Sequence, residues 1–323
     1  MAVELIGWTA ILVIGIVILI KGADYLVEGG SKTAAYLGVP ALVIGLTIVS
    51  FGTSLPELAS SLNAVFKGRS GISIGNVVGS NIANILLVLG ISSMIKPITV
   101  NISVIKREIP IMFGAISLLL IVSLGFTIER WGGIVLLAGL IAYIGFFIWV
   151  AVVEGEEIIV EEKFETEEYQ RVRSKELKIN VVKLVLGLIG IVIGAELMIR
   201  SSVFYIHEFQ LSEGLVGLTI IALATSLPEL AASSVAAYKE ESDISIGNVI
   251  GSNTFNILMV LGICAIFLPI TFTPEIFPNM MIMIIVSIGL TVYIYTGKKL
   301  GRAEGAVMTA AYFLYLVYLY LGI

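Results

Sequence analysis

Charge is what this sequence has least of. Only 13% of its 323 residues are Asp, Glu, Lys or Arg, against about 25% in a soluble domain. That scarcity excludes a water-facing globular fold. Together with 58% hydrophobic residues and a mean hydropathy of +1.05, it specifies an integral membrane protein. Cysteine occurs once, at Cys264 inside an apolar run, so neither a disulfide framework nor a cysteine metal cluster can be built. The single histidine, His207, is expected in a short loop. No basic patch is interleaved with aromatics, which argues against nucleic acid as a partner. A nucleotide-binding loop, a nucleophile–base pair and a soluble domain are missing too, so an enzyme is not expected. The first apolar run is too long, and too poor in basic residues at its start, for a cleavable signal peptide.

The charge that is present is unevenly placed. The net charge of −5 is largely a loop property, since nine of the 24 acidic residues lie between Glu154 and Glu176. A spanning helix needs about 20 mostly apolar residues, and ten stretches qualify: 5–28, 40–65, 71–95, 108–127, 131–153, 178–201, 214–238, 243–268, 277–297 and 302–322. The polar linker 154–177 divides them into two halves of five, 1–153 and 178–323. The linker is too short for a folded regulatory domain, and its acidic run reads as a solvated face. Trp8, Trp131 and Trp149 read as interfacial anchors. Asp24 and Glu196, near helix ends, read as interfacial charges.

The halves repeat. A shift of 172 residues superposes Gly71–Ile98 on Asp243–Ile270 without a gap, with 18 of 28 positions identical. The same shift carries Thr53 onto Thr225 and Glu57 onto Glu229. Five helices is an odd number, so the second half enters the membrane from the opposite side and the repeats are expected to be inverted, as in many secondary transporters. Connections after odd-numbered helices hold 15 of the 19 lysines and arginines; the opposite side holds Lys67, Arg69, Arg130 and Arg200. By the positive-inside rule both termini lie outside and the linker is cytoplasmic.

Two matching hexads carry the chemistry, Gly52-Thr-Ser-Leu-Pro-Glu57 and Ala224-Thr-Ser-Leu-Pro-Glu229. In each, the glutamate is the only charge within a long apolar run, and a carboxylate at bilayer depth is costly without a function or a partner. The preceding prolines, Pro56 and Pro228, remove a backbone donor and are expected to break the helices there, freeing carbonyls near Thr53 and Thr225. Such carbonyls persist at membrane depth only against protein or a hydrated cavity. Two bidentate carboxylates and two threonine carbonyls make six oxygens, which meets the lower bound of about 6–8 for Ca²⁺. No soft ligand is present, so zinc and copper are poor candidates. Beside each hexad runs a polar stripe at helical spacing, Asn76–Ser80–Asn84 and Asn248–Ser252–Asn256. Part of it, Asn76 and Asn248 above all, reads as interhelical hydrogen-bond glue. Gly75, Gly79, Gly247 and Gly251 have the small-xxx-small spacing of close helix packing.

The motifs GTSLPE with SIGNVVGSNIAN, and ATSLPE with SIGNVIGSNTFN, resemble the two α-repeats of the calcium/cation antiporter superfamily, and most closely prokaryotic sodium/calcium exchangers. The resemblance implies an all-α membrane fold of ten helices with alternating access, exchanging external sodium for internal calcium. These ions are cargo, and no cofactor is implied. By matching position, Glu57 and Glu229 would serve both the calcium and sodium sites, with Thr53 and Thr225 coordinating through carbonyl or hydroxyl oxygens. Ser54, Ser80 and the Ser50 carbonyl would line one outer sodium site with Glu229. Ser226, Ser252 and the Ala222 carbonyl would line its mirror with Glu57. Asn84 and Asn256 would flank the centre. Some relatives carry aspartate at the position matching Asn256, so its absence predicts that potassium is not co-transported. The second departure, Ala224 against Gly52, restricts the backbone of one half. Competing expectations are a proton/calcium antiporter of the same architecture and a passive cation channel. The unit is expected to work as a monomer in a cell membrane.

Overall fold

The computed structural model describes residues 2–160, 167–208 and 225–321. Its first helix, α1 (Ala2–Leu37), outlasts the predicted stretch by nine residues before Gly38 turns the chain with φ +66°. The second stretch is not one helix. It comprises α2 (Ala41–Ile44), a π-helical segment Gly45–Val49, α3 (Ser50–Thr53) and, after a break at Ser54, α4 (Leu55–Phe66). The third is α5 (Ser70–Ala83), a π segment Asn84–Leu89 and α6 (Gly90–Ile95), followed by the short strand β1 (Ile98–Thr99). A π segment, Val104–Glu108, leads into α7 (Ile109–Val122), then β2 (Thr127–Ile128) and the long α8 (Arg130–Val160).

The remainder consists of α9 (Glu167–Glu208), α10 (Leu227–Tyr238), α11 (Ser242–Phe255), a π segment Asn256–Leu261, α12 (Gly262–Phe267), β3 (Ile270–Thr271), α13 (Phe277–Gly297), β4 (Lys299–Leu300) and α14 (Arg302–Leu321). The acidic linker is thus helical at both margins, because α8 continues to Val160 and α9 begins at Glu167. Glu, Lys, Arg and Gln are good helix formers, so polarity here ends the apolar run without ending the helix. Eight helical stretches among the described residues are long and apolar enough to cross a membrane. Of the other two predicted stretches, 108–127 contains the shorter α7, and 214–238 lies within the described residues only from Thr225 onward.

Burial separates the elements into a centre and a shell. α5 and α11, with the π segments that follow them, are buried almost throughout. By contrast α1, α8, α9, α13 and α14 present rows of exposed Ile, Leu, Val and Phe outward, the arrangement expected of helices facing lipid. α1 and α9 form a separate seam with its own apolar core of Leu19, Leu26, Leu184 and Ile191. A Cβ added at Gly22 would lie 2.6 Å from the Ile191 backbone nitrogen, and one at Gly194 would lie 2.5 Å from that of Leu19. Only backbone–backbone contact fits there, as at other small-residue helix crossings in membranes.

The internal repeat is visible in the contacts. β1 pairs antiparallel with β4, and β2 with β3; moving by 172 residues turns β1 into β3 and β2 into β4. Each ribbon therefore takes one strand from each half. The β1–β4 ribbon lies with Lys96, Lys298 and Lys299. At the other ribbon Ser70 Oγ donates to the Thr271 carbonyl at 2.9 Å. Asp24 and Glu196, expected near helix ends, lie well inside α1 and α9, and His207, expected in a loop, belongs to α9. The charges find partners, Asp24 with Lys239 at 2.6 Å, Glu196 with Arg200 at 2.6 Å, and Glu28 with Lys183 at 2.8 Å. Lys96 pairs with Glu240 and holds that carboxyl below the usual range. Trp131 and Trp149 are exposed, while Trp8 stacks on Phe204 at 5.2 Å.

Candidate metal centre

The break in the second helical stretch falls at Ser54 (φ −82°, ψ 1°), two residues before Pro56. Pro56 is then the second residue of α4, where a missing N–H costs nothing because first-turn donors have no intrahelical partner. Ser226 (φ −85°, ψ 2°) and Pro228 reproduce this at the start of α10. Each glutamate thus occupies the third position of a fresh helix, within the positive end of its dipole. Ser-Leu-Pro-Glu is also the pattern of a capping box, in which serine caps the third residue and glutamate reaches back. Neither box closes: Ser54 and Ser226 make no side-chain cap hydrogen bond. The hydroxyls that would have capped these helices are left free at the centre.

Glu57 and Glu229 are fully buried. Among the described residues neither has a basic partner, and none of their four carboxylate oxygens has a well-formed hydrogen bond. The hydroxyls beside them are already engaged. Thr225 lies next to Glu57, and Thr53 and Ser252 next to Glu229. Thr53 Oγ1 donates to Asn248 Oδ1 at 3.1 Å and lies 3.2 Å from Ser252 Oγ, and Thr225 Oγ1 donates to Asn76 Oδ1 at 3.4 Å. Leaving a buried carboxylate uncompensated costs several kcal/mol in rough terms. The orphaned set is larger than the glutamates: Ser54, Ser80 and Ser226 hydroxyls and the Asn84 and Asn256 Oδ1 atoms are also buried with no partner among the described residues. Within the two hexads and the polar stripes beside them every such atom is an oxygen, the chemistry of a hard-cation site. No group of three or more His, Cys, Asp or Glu side chains comes together among the described residues, so a cation here would meet two carboxylates and otherwise neutral oxygens.

Asn76 and Asn248 bind the two halves together. Asn76 Nδ2 donates to Ser61 Oγ at 3.1 Å and to the Glu57 carbonyl at 3.4 Å, while its Oδ1 takes the Thr225 hydroxyl. Asn248 mirrors it with Ser233 Oγ at 2.9 Å, the Glu229 carbonyl at 3.4 Å and the Thr53 hydroxyl. Each asparagine therefore joins the acidic helix of its own half to the threonine of the other. The Ser50 hydroxyl is spent on structure, donating to the Gly45 and Asn248 carbonyls at 2.7 and 2.9 Å, and its carbonyl accepts the Ser54 N–H at 3.0 Å. Ala222 and Ala224 lie outside the described residues. Sequence periodicity missed Asn81 and Asn253, which flank the centre one position off the polar stripe, and Tyr143, whose hydroxyl donates to the Leu46 carbonyl at 2.8 Å. The motifs GSNIAN and GSNTFN contained the first two, but a stripe drawn at four-residue steps passes them by.

Apolar helices around two broken ones, with an acidic oxygen-lined centre, define a class: a polytopic membrane transport protein. Comparison with known proteins specifies which. The family described as sodium/calcium exchanger protein matches residues 7–149 and again 179–321, and the chain belongs to that family of cation antiporters. It is 34% identical to a sodium/calcium exchanger of Methanosarcina acetivorans, over 96% of this chain and 97% of the relative. It is 33% identical to an inner membrane protein of Escherichia coli, over 97% and 96%. The solved structure of the sodium/calcium exchanger from Methanococcus jannaschii superposes with a TM-score of 0.83 at 30% identity, covering 97% of this chain and 98% of that one.

Proposed function

We propose that the protein is a secondary antiporter that exchanges sodium for calcium, each half contributing five spans in inverted orientation. The observation that carries this reading is the duplicated cluster of buried, unpartnered oxygens around Glu57 and Glu229. Two carboxylates are neutralised by one Ca²⁺ or by two Na⁺, so the two cargoes compete for the same charge. Glu57 and Glu229 are assigned to both. Thr53 and Thr225 are assigned to the centre through carbonyl or hydroxyl oxygens, since a hydroxyl that donates to Asn248 or Asn76 keeps its oxygen lone pairs for a cation. Ser54 and Ser80, with Ser226 and Ser252, supply neutral oxygens of the outer sodium sites, with the carbonyls of Ser50 and Ala222. Asn84 and Asn256 flank the centre and add no charge, which supports calcium flux without potassium. The basic end of the molecule, with Lys298 and Lys299, is assigned to the cytoplasm, the acidic linker with it, and both termini to the outside.

The deciding experiment is calcium uptake by the purified protein in proteoliposomes under an imposed sodium, proton or potassium gradient, one at a time. Uptake driven by the sodium gradient alone is expected. Uptake driven by a pH gradient without sodium would replace sodium with the proton as the coupling ion, and a strict requirement for potassium would overturn the role given to Asn256.

A further inference from the structure

Four asparagines meet where the halves touch at the centre, and their hydrogen bonds run in one direction. Asn81 Nδ2 donates to the backbone carbonyl of Asn253 at 3.2 Å, and Asn256 Nδ2 donates to Asn81 Oδ1 at 3.2 Å. In the mirror chain Asn253 Nδ2 donates to the Asn81 carbonyl at 3.4 Å, and Asn84 Nδ2 donates to Asn253 Oδ1 at 3.1 Å. A backbone carbonyl can only accept, so the amide end of Asn81 that meets it must be the NH₂. The other end of Asn81 is then oxygen, the Asn256 atom touching it must be NH₂, and the remaining Asn256 atom must be oxygen. The same deduction turns Asn84. The result is two outward amide oxygens, Asn84 Oδ1 and Asn256 Oδ1, both buried and without a partner among the described residues. Both residues also begin a π segment, a local rearrangement often found at functional sites.

We infer that Asn81 and Asn253 are positioning residues that fix the orientation of the Asn256 and Asn84 amides, so that carbonyl oxygen and not NH₂ faces the transported cation. This rests on the antiport reading above and adds to it the groups that set the polarity of the two neutral residues at the centre. An asparagine free to turn would present NH₂, a donor, for part of the time and repel the ion. Reversing Asn256 in place would set its oxygen against Asn81 Oδ1, two acceptors with no proton between them. Asn81 and Asn253 are themselves almost fully buried and act through the neighbouring amide.

The test is a coupling measurement on calcium uptake into proteoliposomes, using whichever gradient drives the wild type. Asn81→Leu is expected to raise the calcium concentration for half-maximal uptake about tenfold, the size of one lost buried hydrogen bond, with a smaller change in maximal rate. In an Asn256→Ala background the same Asn81→Leu change should have no further effect, within about twofold, because the amide it orients is gone. Asn253→Leu should behave likewise against Asn84→Ala. An equal rise in both backgrounds, or no rise in the wild-type background, overturns the inference while leaving sodium-driven uptake standing. If Asn81→Leu does not yield monodisperse protein, Asn81→Ala takes its place, and failure of both to accumulate assigns Asn81 to folding and overturns positioning. A wild type that takes up no calcium under any gradient defeats the function and the inference together.

Discussion

At the scale of single residues, the proposed centre sets two glutamates among neutral oxygens. Glu57→Gln or Glu229→Gln keeps the volume and one oxygen but halves the charge at the centre. Either substitution is expected to abolish calcium uptake while the protein is still made and inserted, as read by radioactive calcium flux beside a membrane-fraction blot; normal flux in either variant refutes their shared role. Thr53→Val is a milder change, because the carbonyl stays and only the hydroxyl bonded to Asn248 is lost. It should weaken calcium dependence by roughly tenfold or less, as for one hydrogen bond, without abolishing uptake. These glutamates were legible in the chain because each stands alone in an apolar run. Asn81 and Asn253 were not, because nothing in one sequence distinguishes an asparagine that binds an ion from one that turns its neighbour.

At the scale of elements, the positions of eight of the ten expected spans could be read among the described residues, and their irregularities could not. Pro56 announced a break, and the break came at Ser54; proline sets where a helix cannot continue, while the preceding residues choose where it stops. The four π segments left no mark in periodicity, since one extra residue in a turn shifts an apolar face only locally. The seam between α1 and α9 was missed too, although its glycines are spaced by seven residues at Gly15, Gly22 and Gly29 and again at Gly187 and Gly194. Its closeness makes a prediction. Gly22→Leu has no room short of moving backbone and should cost about 1–3 kcal/mol by overpacking, seen as a lower melting temperature in detergent and a broader gel-filtration peak. Gly7→Ala, with nothing within 4 Å of the added carbon, is the matched control and should leave both unchanged.

At the scale of the whole molecule, the orientation is open to a direct check. Cys264 is buried and can be replaced by Ala to give a background without thiols. Single cysteines placed at Lys67 and at Lys298 should then react oppositely with a membrane-impermeant maleimide. The Lys67 position should label in intact cells, and the Lys298 position only after permeabilisation. The reverse pattern would invert the assigned topology without touching the site.

The crossed ribbons bear on how the protein comes to exist at all. A chain is made from one end, and β1 and β2 emerge long before β3 and β4, their partners in the later half. Asn81, Asn84 and Asn76 likewise wait for Asn253 and Thr225. The first half therefore spends its infancy in the membrane with several central polar groups, Asn81 and Asn84 among them, unanswered, and the last strand to arrive, just ahead of α14, closes the first ribbon. A ribosome that stops short of Lys299 leaves a nascent chain with an unclosed ribbon, expected to be cleared by membrane quality control rather than to persist as a slow or leaky carrier.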